Sequence, residues 1–381
     1  MKTLSSLNFK DKRVLLRTDL NSDVVNKRVL MSERIRKSSE TISELKRKGA
    51  RVVVIAHQGR RKSSDFLSLR QHSKFLNKFT KIKFVDDIIG EKAINEIKNL
   101  KSGEALLLEN IRFLKDEFDY KNKQNKLIKK LVPLFNVYVN DAFSVCHRKQ
   151  TSIIGFPKYL PSFAGRLLES ELNALKKVKI KNCLYILGGA KPEENIKLLE
   201  HSSNNKILSC GLFGQLCVIA KGKNLGAQNK YLKDQMYLLN KLKKNLKKRS
   251  KKIQTPVDFA VKIKNKRKEL SLEEFPSKYE IYDIGKKTMK NYTKKIQEAK
   301  AIYMKGPAGF CADRRFSRGT NAILKSISKN KRFSLISGGH LSDAIKKSKI
   351  NPKKFGYVSL SGGASLRYII GENLPGLEAL G

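Results

Sequence analysis

The chain has no apolar run long enough to cross a bilayer as a helix, which excludes a helical membrane protein. Its first residues, MKTLSSLNFKDKRVLLR, carry no long apolar core ahead of the first charges, so a secretory signal is not expected. The five cysteines (Cys146, Cys183, Cys210, Cys217 and Cys311) are odd in number and show no C-x-x-C spacing. They read as reduced thiols of a cytoplasmic protein, not as a disulfide frame or zinc site. Internal repeats and Pro- or Ser-rich linkers are missing too. Acidic residues are scarce: 34 Asp+Glu against 81 Lys+Arg leave a net charge of +47. Such a field draws in anions. Yet the densest run, Lys241–Lys252 (KLKKNLKKRSKK), has no interleaved aromatics on which bases would stack, and lysine reads phosphate geometry poorly beside arginine. The run is read as a solvated helix face, and any nucleic-acid binding is expected to be non-specific.

What is present is enough chain for two cores: 381 residues, 40% of them hydrophobic. Short apolar runs ending in a polar or glycine corner recur between amphipathic segments of helical length. The first half has them at 13–17, 51–57, 105–112 and 137–141. The second half has them at 184–189, 207–211, 301–306, 333–339 and 356–363. Strand, corner, helix, strand is the pattern of α/β folds with parallel sheets covered by helices, whose ligands gather at the carboxyl ends of the strands. Between the halves, Pro161-Ser162 reads as a helix start, and Phe163, Leu167, Leu168, Leu172 and Leu175 recur at helical spacing. A helix over 161–177 is therefore expected to join two domains. The segment 231–252 reads as exposed helix and Ser271–Ser277 as a loop or short turn.

Corners of the first half carry one kind of chemistry. Asp19 and Asn21 end the first strand, Arg34 follows in SERIRKS, and His57, Gln58, Gly59 and Arg60 stand in AHQGRR. Arg112 closes LLLENIRF, and His147-Arg148 closes VNDAFSVCHR. Guanidinium forks suit carboxylate and phosphate oxygens, so arginines recurring at strand ends form a cup for a small, multiply charged anion.

The second half places glycines between strand and helix: Gly188-Gly189-Ala190-Lys191, Gly306-Pro307-Ala308-Gly309, Ser337-Gly338-Gly339-His340 and Ser361-Gly362-Gly363-Ala364. Glycine lets backbone N–H groups approach an anion at a helix start, and four such corners point to a phosphate-rich ligand such as a nucleotide. Neither G-x-x-x-x-G-K-[ST] nor G-x-G-x-x-G occurs at these corners, which excludes a P-loop and the dinucleotide fingerprint.

Read in order, RVLLRTDLN, IAHQGR, LLLENIRF, YVNDAF with HR, LPSFAGRLLESELNAL, LGGAK, PVDFAV, KGPAG, GGASL and LPGLEAL resemble phosphoglycerate kinase over nearly the whole chain. AHQGR, HRKQ and GGH give the resemblance an archaeal character. It implies two doubly wound parallel-sheet (Rossmann-like) domains. Residues 1–160 would bind phosphoglycerate, with 366–381 packing back on them; 161–177 would be a hinge helix; 178–365 would bind nucleotide. It implies reversible phosphoryl transfer between ATP/ADP and 3-phosphoglycerate/1,3-bisphosphoglycerate, Mg2+ carried as the nucleotide complex, no dedicated protein metal site, a monomer and no membrane partner.

Carried over residue by residue, the resemblance gives Asp19, Asn21, Arg34, His57, Gln58, Gly59, Arg60, Arg112 and Arg148 to the acidic substrate. It gives Gly189, Ala190, Lys191, Gly211, Pro307, Phe310, Ser337, Gly338, Gly339 and His340 to the nucleotide. Arg34, Lys191, Gly339 and Gly363 would act at transfer. Three departures stand out. Ala312 replaces a glutamate that grips the ribose, and Asp313 could take its place only if the backbone shifted. Both triple-glycine clusters begin with Ser here (Ser337, Ser361). Asn195 lies where many bacterial and eukaryotic members carry a second lysine. The departures leave a second expectation: a catalytically weakened member with altered nucleotide preference, or one binding polyanions through its basic surface.

Overall fold

The computed structural model describes residues 1–178, 183–201 and 205–381. The chain forms two compact units, 1–173 with 373–381, and 174–372. Both are built on a parallel sheet, and the fold class is doubly wound α/β.

The first unit contains β1 (Arg13–Thr18), the small hairpin β2 (Val24–Val25) and β3 (Arg28–Val29), β4 (Arg51–Ile55), β5 (Lys83–Val85), β6 (Ala105–Leu108), β7 (Val137–Asp141) and β8 (Ser162–Ala164). Its six-stranded sheet runs β5-β6-β4-β1-β7-β8, and every pairing is parallel. The central strands are buried along nearly their whole length, as expected of a sheet covered on both faces. Val14, Leu16, Val52, Val54, Val137 and Val139 form its core with Ile35, Ile42 and Leu45. These last three belong to α1 (Glu33–Arg47); α2 (Arg70–Leu76), α3 (Glu91–Asn99) and α4 (Lys126–Leu131) occupy later crossovers.

Helix α5 (Arg166–Val178) begins later than the sequence led us to expect. Residues 162–164 are strand, not helix, because their backbone groups are claimed by β7: Tyr138 N donates to Pro161 O at 3.0 Å and Gly165 N to Asn140 O at 2.9 Å. Only beyond Gly165 is the chain free to coil. The Asp141 carboxylate then caps the helix, accepting from Leu167 N at 2.8 Å and Leu168 N at 3.2 Å. A Cβ on Gly165 would lie 2.3 Å from that same carboxylate, so the capping geometry requires glycine. Leu168, Leu172 and Leu175 are buried, and the division between the units falls within this helix.

In the second unit, β9 (Leu184–Leu187), β10 (Lys206–Ser209), β11 (Ile253–Gln254), β15 (Ala301–Lys305), β16 (Phe333–Ser337) and β17 (Tyr357–Ser359) form a parallel sheet in the order β11-β10-β9-β15-β16-β17. Counted along the chain, that order runs outward in both directions from β9 and β15, and ligands of such sheets bind at this switch point. Between β11 and β15 lies a three-stranded antiparallel sheet, β12 (Asp258–Ile263), β13 (Lys266–Ser271) and β14 (Ile281–Ile284), in the order β13-β12-β14. The sequence pattern did not announce it. Helices α6 (Pro192–His201), α7 (Gly211–Ala220), α8 (Ala227–Tyr231), α9 (Leu239–Lys248), α10 (Lys286–Gln297), α11 (Arg318–Lys329), α12 (Gly339–Lys347) and α13 (Gly362–Ile369) complete the unit. The lysine-rich α9 buries Leu242 and Leu246. The short α14 (Pro375–Glu378) belongs to the first unit, where Gly376 N donates to Cys146 O at 2.8 Å. No described helix is long and apolar enough to cross a membrane.

Candidate active site

In the first unit the strand-end residues form a buried, positively charged cluster. Asp19, 2% exposed, follows β1 and accepts from the Ser144 hydroxyl and from Asn21 N. Arg34, reaching in from α1, pairs with it at 3.2 Å and donates to Asn21 O at 3.2 Å. Asn21 Oδ1 in turn accepts from Gly59 N at 2.8 Å. Asp19, Asn21, Arg34 and Gly59 are thus one hydrogen-bonded group. Gly59 has φ +70° and a Cβ there would meet Asp65 O at 2.3 Å, so its glycine identity has an internal cause. Gln58 is fully buried and spent on the scaffold: its amide bonds Ser22 N, Ser22 O, Asp65 O and His72 Nε2.

Arg112 is the informative arginine. Its Nη1 donates to Gly59 O, while Nε and Nη2 are buried without a hydrogen-bond partner. Burial, then the neighbouring Arg17 and Arg148 guanidiniums, push its pKa down to about 9. Arg148 is shifted down as well, by burial and then by Arg60 and Arg17. With the exposed Arg60, these two line a cavity of about 760 Å³ together with Arg61, Lys115, Phe118 and His147. Like charges gathered under low solvent exposure repel. A bound anion would relieve that repulsion and supply the acceptors that Arg112 lacks.

Two residues of this cluster escaped the sequence reading. Arg17, the fifth residue of β1, is completely buried; its Nε donates to Ser152 Oγ at 2.9 Å and its Nη2 reaches His57 Nδ1 at 3.1 Å. Behind it the buried Glu117 accepts from Ser152 N at 2.9 Å and from Ser152 Oγ at 2.7 Å. Burial raises the Glu117 pKa, while Arg17 and the Ser152 bonds oppose that shift. Ser152 therefore links a buried carboxylate to a buried guanidinium, giving the cluster an internal counter-charge. A charged residue inside an apolar run, at Arg17, was the available signal.

In the second unit the glycines divide into two groups. Gly189 (φ +80°) and Gly306 (φ +75°) lie backbone against backbone: a Cβ on Gly189 would meet Gly306 Cα at 3.2 Å, and one on Gly306 would meet Gly188 O at 2.5 Å. Gly188 N donates to Lys305 O, Gly189 N to Pro307 O and Gly211 N to Ala308 O. These corners are knotted together, and their glycines have a packing cause. At Gly339, Gly362 and Gly363 a Cβ would meet nothing within 4 Å, and none has positive φ. Each lies in the first turn of a helix, where alanine would be the more stable residue. Their glycine identity has no cause inside the protein, and an outside group approaching the backbone would supply one.

The other expected nucleotide residues lie on this edge or beside it. Ala190, Lys191 and His340 are exposed, and Gly338 (φ +118°) precedes α12. Ser337 is fully buried, with its hydroxyl against that of the buried Tyr303. Phe310 is 54% exposed, edge-on to Tyr282 at 6.0 Å. Ala312 is exposed, and the adjacent Asp313 is held at 2.6 Å by Arg315, which depresses its pKa to about 2. Asp313 is thus already engaged by Arg315 beside the missing glutamate. Among the described residues no group of three His, Cys, Asp or Glu side chains could hold a metal ion.

These features define a doubly wound α/β protein whose strand-end corners gather arginines in one unit and helix-starting glycines in the other. The family profile for phosphoglycerate kinase matches residues 4–372. The phosphoglycerate kinase of Sulfolobus acidocaldarius is 40% identical over 398 aligned residues, covering 99% of this chain and 95% of the relative. That of Methanothermus fervidus is 38% identical over 397, covering 99% and 96%. Among solved structures, phosphoglycerate kinase from Pyrococcus horikoshii superposes with a TM-score of 0.93 at 34% identity, covering 100% of this chain and 98% of that one. The Coxiella burnetii enzyme gives 0.83 at 29% identity, covering 99% and 98%. The chain belongs to the phosphoglycerate kinase family, phosphotransferases with a carboxyl group as acceptor.

Proposed function

We propose that the protein is an active phosphoglycerate kinase, moving a phosphoryl group reversibly between ATP/ADP and 3-phosphoglycerate/1,3-bisphosphoglycerate in glycolysis and gluconeogenesis. The observation that supports this reading best is Arg112, buried among like charges with two unpaired N–H edges. In the gluconeogenic direction a carboxylate oxygen of 3-phosphoglycerate attacks the γ-phosphorus of ATP. The new O–P bond forms as the β–γ bridging bond breaks, and ADP leaves with the electron pair. The acceptor is ionised near neutral pH, so no general base is needed. The demands are alignment, exclusion of water and neutralisation of charge.

In this reading Asp19 and Asn21 orient the hydroxyl and carboxylate end, and His57, Arg60, Arg112 and Arg148 hold the phosphate end. Arg34 and Lys191 neutralise charge at transfer, with N–H groups around Gly339 and Gly363 on the nucleotide phosphates. Gln58 and Gly59 act by shaping the loop. Magnesium, carried in as the nucleotide complex, would be held by the nucleotide phosphates and would supply charge neutralisation there. Closure of the two units about α5 would exclude water and gate turnover. A monomer in the cytoplasm, binding nucleic acid only non-specifically through its +47 charge, completes the proposal.

The test is a steady-state assay coupled to glyceraldehyde-3-phosphate dehydrogenase, with ATP, GTP and inorganic polyphosphate as donors. Turnover with a nucleoside triphosphate supports the reading, with a raised KM for the nucleotide expected from Ala312, which offers the ribose hydroxyls no acceptor. No turnover with any donor would leave a degenerate member of the family.

A further inference from the structure

Lys305 is the last residue of β15, and only 8% of its side chain is exposed. It sits on the carboxyl edge of the sheet, in register with Leu187 of β9 on one side and Ser337 of β16 on the other. The first of these pairings is the place where strand order reverses, and crevices at such points receive ligands. Gly188 N donates to the Lys305 carbonyl at 2.8 Å, which fixes the lysine backbone to the glycine turn after β9. Its ammonium lies 2.8 Å from Glu194 Oε2 and 3.4 Å from Asn195 Oδ1. Both partners come from the start of α6.

Glu194 is shared. The exposed Lys191 ammonium approaches its other oxygen at 3.5 Å, so one carboxylate stands between two lysines. Burial raises the Glu194 pKa, but the two ammonium groups outweigh it and the net shift is downward. The carboxylate therefore stays ionised, as an internal anion at the switch point. A buried ion pair of this kind contributes little net stability, since desolvation offsets attraction. One carboxylate also leaves a surplus positive charge between the two lysines.

We propose that Lys305 is a phosphate-binding residue of the second unit, paired with Glu194 until a nucleotide phosphate displaces the carboxylate and takes both Lys305 and Lys191. The proposal rests on the nucleotide reading of this unit. It assigns the lysine a role that its burial inside a strand end conceals. Asn195 lies against the Lys305 ammonium at 3.4 Å, so exchanging the two side chains would return a cation to the same place from the neighbouring helix.

The experiment is calorimetric titration of the full-length protein with ADP and, separately, with adenosine. The variants are Lys305→Met, Glu194→Gln and the exchange Asn195→Lys/Lys305→Asn, each checked by thermal melting. Lys305→Met is expected to lose about tenfold or more in ADP affinity with adenosine affinity unchanged. Glu194→Gln is expected to bind ADP more tightly than wild type, because the competing carboxylate is gone. The exchange variant is expected to recover most of the lost affinity. Unchanged ADP binding by Lys305→Met would overturn the proposal. So would equal losses for ADP and adenosine, or an ADP loss in Glu194→Gln matching that of Lys305→Met, since either outcome marks a structural clamp. Wild-type protein that binds no ADP would instead remove the nucleotide reading, and this inference with it.

Discussion

Arg17 Nη2 donates to His57 Nδ1 across 3.1 Å. Arginine has no acceptor, so this contact fixes His57 with its proton on Nε2. Burial, followed by the charges of Arg17, Arg112, Arg148 and Arg34, holds the His57 pKa well below its usual 6.5. The imidazole is therefore neutral throughout the physiological range and presents Nε2–H as a donor.

The first prediction is that His57 does not titrate between pH 8 and pH 5.5. Its ring-proton NMR shift, assigned by comparison with His57→Gln, should stay constant over that interval. The depressed pKa also makes His57 an acid-side liability: the unfolded chain takes up its proton first, so this group withdraws stability as pH falls below about 6.5. A midpoint near 6.5 in the folded protein would contradict the Arg17 contact.

A second prediction separates the two kinds of glycine. Gly362→Ala and Gly363→Ala place a methyl in open space at a helix start. Thermal stability should be unchanged or raised by about 0.5–1 kcal/mol, while turnover falls by about tenfold or more. Gly59→Ala puts a Cβ 2.3 Å from Asp65 O at positive φ and should lower the melting temperature outright. Melting curves and steady-state rates on the same three proteins decide it. Activity retained in both helix variants would show that nothing approaches those backbones.

The third concerns Asp141, the cap of α5. Burial raises its pKa to about 7 against the opposing bonds from Thr41, Leu168 and Leu167. The folded state thus keeps a proton that the unfolded chain releases near 3.8. Stability from this group is fully present below the unfolded value and is lost as pH rises through about 7. Each pKa unit corresponds to about 1.4 kcal/mol, so the loss is a few kcal/mol. Asp141→Asn keeps an acceptor for the helix N–H groups but removes the titration. Relative to wild type, it should gain melting temperature from pH 5 to about pH 7 and level off above that. A constant difference across that range would mean that Asp141 is charged in the fold.

How much of this was legible in the sequence follows from what each residue touches. The strands of both parallel sheets were readable because Val14, Val52, Val137, Ile186, Ile302 and Ile336 are buried on sheets covered on two faces, leaving continuous apolar runs. The antiparallel sheet was not, because β13 reads KRKELS, with Lys266 and Lys268 exposed and Leu270 alone buried, which mimics a polar loop. The start of α5 was missed because Pro161-Ser162 looks like a helix cap, whereas pairing with β7 holds 162–164 extended. Strand-end arginines were visible one at a time. Glu117 lies in KDEF, a stretch that reads as surface, and only the fold brings it through Ser152 to Arg17. The pairing of Lys305 with Asn195 joins residues 110 positions apart along the chain, and Glu194 is one further, beyond any local pattern.

The most direct measurement is the coupled steady-state rate of Arg34→Ala and Lys191→Ala against wild type at saturating ATP and 3-phosphoglycerate. Lys191 is largely exposed, so its variant should melt as wild type does. Both variants should lose roughly a hundredfold in kcat, the size expected for removing a charge that acts at transfer. Rates for both within twofold of wild type would contradict charge neutralisation by these two side chains.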